Sequence, residues 1–287
     1  MSLPGFHADP SLVRVGDRYW VHPTTDGSAD WGGTTFSAFS SPDLVDWTDH
    51  GVVLRLGVDV PWAAVRAWAP AMVPWRGRFH LFFCGEQAIG HAVADAPDGP
   101  FTADPAPLIA KDELPGQAID PAFALDDDGS PLLLWGNTHA FVAPLTEDLA
   151  AIDRSRLREV TPEGFREALA LHRHDGRRYW SWSENDTRDP EYRVAWGVDD
   201  GAGGIARRGV LLEQRPELGI LATGHHSVLE VPELGTWVIA YHRFAIGTEP
   251  PGDGIHREVV FDELRHTADG GLAAVPTLDG LRLPLPG

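Results

Sequence analysis

Short apolar bursts, rich in aromatic and β-branched residues, recur along the chain, and each stands just behind a glycine. Tyr19-Trp20 follows Gly16, residues 79–83 (FHLFF) follow Gly77, and 132–135 (LLLW) follow Gly129. Residues 179–182 (YWSW) follow Gly176, and 237–241 (WVIAY) follow Gly235. Ahead of each glycine runs a second segment with a polar or aromatic residue at its head. These heads are Asp9-Pro10, Trp68-Ala69-Pro70, Asp120-Pro121, Glu167-Ala168 and Gly224-His225-His226. Such an order predicts a strand, a glycine turn and a β-rich return strand, repeated five times.

Further strands are expected at 193–198 and at 256–264 (HREVVFDEL), where apolar and polar residues alternate. Residues 272–275 and 276–281 then complete the last repeat or cover its end. The segment 26–36, DGSADWGGTTF, reads as a loop carrying Trp31, and 41–47 as a turn that buries Leu44 and Trp47. Residues 145–160 carry a mixed, helix-like spacing, consistent with either a short helix or a strand and turn. The acidic turn 126–129 lacks the spaced ligands and trailing glutamate of an EF-hand, so it reads as a solvated hairpin turn. A unit of about 50 residues with up to four short strands is a propeller blade. The expected fold is therefore all-β, a five-bladed β-propeller forming one domain over residues 1–287, because a repeat buries its faces only against its neighbours.

Composition agrees with many strands and turns: 11 Trp, 12 Phe, 31 Gly and 24 Pro. The formal charge of −19 disfavours nucleic acid and anionic membranes as partners, and no cluster of Lys and Arg offsets it. Cys84 is the only cysteine, so no intrachain disulfide forms. No apolar run approaches the roughly 20 residues of a membrane span. No basic-then-apolar segment opens the chain, so a cytoplasmic location is expected unless a leader has been removed.

Taken singly, Asp9 and Asp120 are ordinary turn starters before proline. Together with Glu167 they are harder to dismiss, because a ring brings the five repeat heads to one end of a central channel. Three carboxylates there repel one another, an arrangement that stability alone does not favour. Paired acids, one protonated and one ionised, are what hydrolysis of a glycosidic bond requires. An adjacent aromatic ring can stack on a sugar face. No HExxH, paired-cysteine zinc spacing, phosphate loop or GxSxG elbow competes with this reading.

The ordered set HADPSLVRVGDRYWVH, SSPDLVDWTDHGVVL, AWAPAMV, IDPAFALDDDG, REALALHRHDGRRYW, GHHSVLEV and HREVVFDEL resembles glycoside hydrolase family 43, the β-xylosidase and α-L-arabinofuranosidase group. By that resemblance Asp9 is the general base, Asp120 the orienting and pKa-modulating carboxylate, and Glu167 the general acid. Trp68 and Arg257 match positions that line the sugar pocket, and Trp31 is a further candidate. His225 matches a histidine that, in many members, helps hold a calcium or other ion at the channel centre. His226 departs from the glycine usual after it.

The resemblance implies inverting hydrolysis of terminal β-D-xylosides or α-L-arabinofuranosides from a neutral oligosaccharide or aryl glycoside. Two alternatives are a retaining fructan-type propeller glycosidase and a non-catalytic carbohydrate-binding propeller. The first expects Asn-Asp-Pro where this chain has Ala8-Asp9-Pro10, and the second expects loss of a carboxylate.

Overall fold

The computed structural model describes residues 3–284. Twenty strands form five antiparallel four-stranded sheets, each made of four strands consecutive in sequence. Blade 1 is His7–Val15, Arg18–Thr25, Thr35–Ser41 and Thr48–Arg55. Blade 2 is Trp68–Trp75, Arg78–Gly85, Ala88–Ala94 and Thr102–Ala103. Blade 3 is Ala122–Leu125, Pro131–Trp135, Phe141–Pro144 and Arg158–Glu159. Blade 4 is Glu167–His174, Arg177–Glu184, Arg193–Asp199 and Ile205–Leu212. Blade 5 is Gly224–Val231, Thr236–Phe244, Arg257–His266 and Leu272–Ala274. The five first strands surround a channel cavity of about 290 Å³.

The apolar bursts are the second strands, and their continuous hydrophobicity has a simple cause. Successive side chains point to opposite faces, and both faces of a blade are covered by neighbouring blades. Leu81 and Phe83 face blade 1, whereas Phe82 faces blade 3. Leu133 and Trp135 face blade 2, whereas Leu132 and Leu134 meet Trp180 and Trp182 of blade 4. Tyr179 turns the other way, toward Ile239 and Tyr241 of blade 5. Blades 5 and 1 close the ring around Val21, Phe39, Val238 and Phe261, joined there by Leu3 and Leu283 from the two ends of the described chain. This closure rests on side-chain contact and on hydrogen bonds such as Leu12 N–H to Ser227 Oγ, 3.0 Å, and not on strand exchange.

The turn glycines Gly16, Gly77, Gly129, Gly176 and Gly235 have φ between +60° and +81°. An added Cβ would meet nothing at any of them, so the left-handed backbone alone demands glycine. Leu44 is buried as expected; Trp47 is half-buried and stacks on Phe261 with ring centroids 5.2 Å apart. Residues 145–160 form no α-helix. Thr146 Oγ1 takes the Ala151 N–H and folds the segment into a turn, followed by a short 3-10 element at Arg154–Arg156. The helix-like spacing of Leu145, Leu149 and Ile152 comes from a loop that buries all three between blades 2 and 3.

Candidate active site

Each first strand enters its blade through a kink. Asp9, Ala69, Asp120, Ala168 and His225 have φ of 50°, 43°, 56°, 57° and 40°, in the left-handed region that costs a non-glycine residue free energy. In blades 1, 2, 4 and 5 the ladder slips across this residue as a β-bulge. Neighbouring blades hold the strained backbone in place. Thr24 Oγ1 accepts the Ala69 N–H at 2.7 Å, and Ser183 Oγ accepts the His225 N–H at 2.9 Å.

The kink corrects the sequence register. Spacing alone treats Asp9, Trp68, Asp120, Glu167 and His225 as equivalent, but the backbone divides them into two sets. Asp9, Asp120 and His225 occupy the kink itself. In blades 2 and 4 the kinked residue is alanine, with nothing to project, and the preceding Trp68 and Glu167 supply the side chain. Both stand opposite second-strand residues, Cys84 and Ser183.

Asp9 is buried and surrounded by donors. Thr24 Oγ1 donates to its Oδ2 at 2.7 Å, and Arg257 Nη1 to its Oδ1 at 3.3 Å. His242 Nδ1 and His225 Nδ1 lie 3.0 and 3.2 Å from the same Oδ1. Burial by itself would raise the carboxyl, but Arg257, His225 and His242 outweigh it and hold Asp9 well below the ordinary range. Arg257 is itself anchored by Asp26, through Nε to Oδ2 at 2.7 Å and Nη2 to Oδ1 at 2.9 Å.

Glu167 is equally buried but meets only neutral donors at close range. Tyr192 O–H donates to Oε1 at 2.8 Å and Asn137 Nδ2 to Oε2 at 2.7 Å, while Arg166 Nε stays 3.8 Å away. Burial therefore prevails and raises Glu167, with Asp9 adding repulsion. Asp120 is pushed well above the usual range by burial, then by Glu167 and Asp9. Its Oδ2 has no hydrogen-bond partner and lies 3.5 Å from His225 Nδ1. One pocket thus holds a carboxyl whose proton affinity is lowered beside two whose proton affinity is raised.

Asp9, Asp120, Glu167, His225, Arg257, Trp31 and Trp68 all line this cavity of about 280 Å³. Trp68 Nε1 donates to the Trp31 carbonyl, and Trp31 Nε1 to the Gly254 carbonyl, both at 2.8 Å. The Arg188 guanidinium sits 5.9 Å from the Trp31 ring, so loops of blades 1, 2, 4 and 5 are tied around one side of the mouth. Arg257 is buried and lines the cavity, with its guanidinium donating to Asp9, Asp26 and Thr187 Oγ1. His226 turns to Ser181 Oγ at 2.7 Å. Among the described residues no group of three or more His, Cys, Asp or Glu converges as a metal shell, and His225 offers a single imidazole.

Sequence reasoning missed Thr24, Asp26, Asn137, Tyr192 and His242. Thr24 and His242 stand on second strands opposite the pre-kink residues Ala8 and Gly224. Their polarity next to an apolar burst was the available signal. Asp26, Asn137 and Tyr192 lie outside the strands and carry no local pattern.

A five-bladed propeller that gathers three buried carboxylates, with opposed proton affinities, in a tryptophan-walled pocket defines a glycosidase. The model of glycosyl hydrolases family 43 matches residues 2–272, and the chain belongs to that family. A β-D-galactofuranosidase of Aspergillus niger is 31% identical over 303 aligned residues, 97% of this chain and 85% of its own. Xylosidase/arabinosidase 43A of Humicola insolens is 30% identical, covering 83% and 88%. Among solved structures, an α-L-arabinofuranosidase of Clostridium thermocellum shares 27% identity with a TM-score of 0.77, covering 96% of this chain and 95% of that one.

Proposed function

We propose that the protein is an exo-acting, inverting glycosidase that releases a terminal pentose, β-D-xylose or α-L-arabinofuranose, from oligosaccharides and aryl glycosides. One observation carries this reading: Asp9 and Glu167 share a pocket whose surroundings push their proton affinities in opposite directions. Glu167 gives its proton to the glycosidic oxygen as the bond to the anomeric carbon breaks. Asp9 takes a proton from the water whose oxygen forms the new bond on the opposite face. Burial, with repulsion from Asp9, favours the proton on Glu167, and proton exchange with solvent resets both acids. The loops tied through Trp31 and Trp68 support a pocket that accepts a chain end. Its volume, about 280 Å³, lies at the small end of ligand sites.

The relatives named above act, by their names, on furanosides and xylosides, which supports the substrate class. One solved relative is described as a calcium-free form in complex with xylotriose. A hard cation in this channel would have His225 as its protein ligand, with waters completing the shell, and would add positive charge beside Asp9 and Asp120.

The test is a panel of p-nitrophenyl α-L-arabinofuranoside, β-D-xyloside and β-D-galactofuranoside, followed by proton NMR of the first-formed sugar from any that is cleaved. Hydrolysis of a pentoside with the inverted anomer first is expected. The retained anomer first would replace single displacement by a covalent intermediate. Cleavage of the galactofuranoside alone would overturn the pentose assignment.

A further inference from the structure

Arg66 stands out in this acidic molecule. Among the described residues, every other arginine that is not fully exposed donates to a carboxylate, a hydroxyl or a carbonyl. Arg66 is half-buried and has no ion pair and no side-chain hydrogen bond. Its guanidinium lies 5.6 Å from the centre of the Trp68 ring, and it lines the catalytic pocket. Acids outnumber bases by 42 to 23 in the chain, so a partly desolvated guanidinium without an acid is conspicuous.

The backbone that presents Arg66 is strained and clamped. Arg66 has φ 64°, and the hairpin beside it turns through Glu86 and Gln87, with φ of 52° and 67°, where glycine or asparagine is the ordinary choice. Glu86 ties the two segments together. Its N–H donates to the Val65 carbonyl at 3.1 Å, and its Oε1 accepts the Ala64 N–H at 3.0 Å. Gln87 thereby lines the same pocket as Arg66, and its side chain too has no hydrogen-bond partner within the described residues. Strain held in place by such clamps is characteristic of functional positions.

We propose that Arg66, backed by Gln87, forms a carboxylate-recognising subsite at the pocket mouth, and that the preferred substrate carries a uronic acid on the leaving-group side of the cleaved bond. This rests on the glycosidase reading above. The terminal sugar occupies the buried floor at Asp9 and Glu167, so the following unit lies at the half-exposed rim where Arg66 stands on Trp68. A guanidinium over an aromatic ring, with no acid of its own, can form two parallel hydrogen bonds to a carboxylate, and Gln87 can donate a third. Asp186 already neutralises the neighbouring cations Arg166 and Arg188, which leaves Arg66 as the unspent positive charge of the rim.

The experiment uses a xylo-oligosaccharide bearing one hexuronic acid next to its terminal pentose, and the same compound with the carboxyl reduced to an alcohol. Wild-type kcat/KM should favour the acid by about tenfold, the effect of one charge-assisted contact. The ratio should fall with added salt, collapse to about one in Arg66→Gln, and be partly kept in Arg66→Lys. A wild-type ratio of one or less, or a ratio unchanged in Arg66→Gln with its melting temperature intact, overturns the proposal. Failure to cleave either compound while p-nitrophenyl pentosides are hydrolysed overturns it as well. Failure on every pentoside overturns the glycosidase reading itself, and the subsite falls with it.

Discussion

Replacing Glu167 tests whether it, and not its sequence neighbour Glu163, is the proposed proton donor. Glu163 is exposed in the turn between Pro162 and Gly164, whereas Glu167 is buried and held by Tyr192 and Asn137. A general acid contributes typically 10²–10⁴-fold, or about 2.7–5.4 kcal/mol at 1.36 kcal/mol per decade. Asp120 is the other carboxyl of the pocket with raised proton affinity, but it lies beside His225, which also neighbours Asp9. No spare acid serves the leaving oxygen, so Glu167→Ala should lose about 10³–10⁴-fold on an oligosaccharide with an unactivated leaving group. On a dinitrophenyl glycoside, whose leaving group needs little protonation, the loss should be about tenfold. Glu163→Ala should stay within about twofold on both, as surface changes usually do.

The pH dependence carries the same signature. Burial raises Glu167 above its unfolded value, so its proton is lost, and activity with it, as pH rises through the raised value. That limb should flatten in Glu167→Ala, while the acid limb, set by the depressed Asp9, stays in place. Stability follows the sign of the shift. An acid raised in the folded state favours folding most below its unfolded pKa, and that contribution is lost as pH climbs through the folded pKa. Glu167→Gln removes this loss, so its melting temperature should exceed wild type by more at pH 8 than at pH 5. Stopped assays on the two substrates and thermal melts at the two pH values are sufficient. Equal losses on good and poor leaving groups, or a larger loss in Glu163→Ala, would refute the assignment.

Asp26→Asn leaves the buried Arg257 with Asp9 as its remaining carboxylate partner; urea unfolding should show a loss of about 3–5 kcal/mol, and one under about 1 kcal/mol would mean that Asp26 is not the anchor. With one imidazole as its protein ligand, a channel calcium ion would bind weakly, so dialysis against EDTA should move the melting temperature by less than about 2 °C. His225→Ala should nevertheless cut kcat at least tenfold by removing a neighbour of both Asp9 and Asp120, and restoration of EDTA-lost activity by added calcium would show instead that the ion belongs to the site.

The propeller was legible because its causes are local and repeated. A glycine before each second strand and an apolar run covered on both faces are visible at short range, and five repetitions leave one closed arrangement. Asp9, Asp120 and Glu167 were legible for the same reason, since each stands at the head of a repeat. The kink was not. Whether a head residue occupies the left-handed position or precedes it depends on a bulge, and the bulge is held by Thr24 or Ser183 of an adjoining blade. Asp26, Asn137 and Tyr192 were invisible because their partners are distant in sequence: Tyr192 meets Glu167 across 25 positions and Asp26 meets Arg257 across 231. The mixed spacing at 145–160 left helix and turn both open for the converse reason, because a loop that buries three residues can imitate a helix face.

What separates Asp9, the proposed base, from Glu167, the proposed acid, is the kind of donor each receives, not how deeply each is buried. A phenol or an amide N–H can donate to a neutral acid's carbonyl oxygen as well as to a carboxylate, so Tyr192 and Asn137 orient Glu167 while burial favours its proton. A guanidinium distinguishes the two forms by its charge, and Arg257 touches Asp9 alone of the three acids. Asp26 makes that possible, because a buried arginine without a second carboxylate would bear a large uncompensated desolvation cost. The negative charge secured on Asp9 then raises both Asp120 and Glu167. In the proposed mechanism base and acid are thus distinguished by where one Asp26–Arg257 pair sits, and exchanging the roles would require moving that pair to another blade.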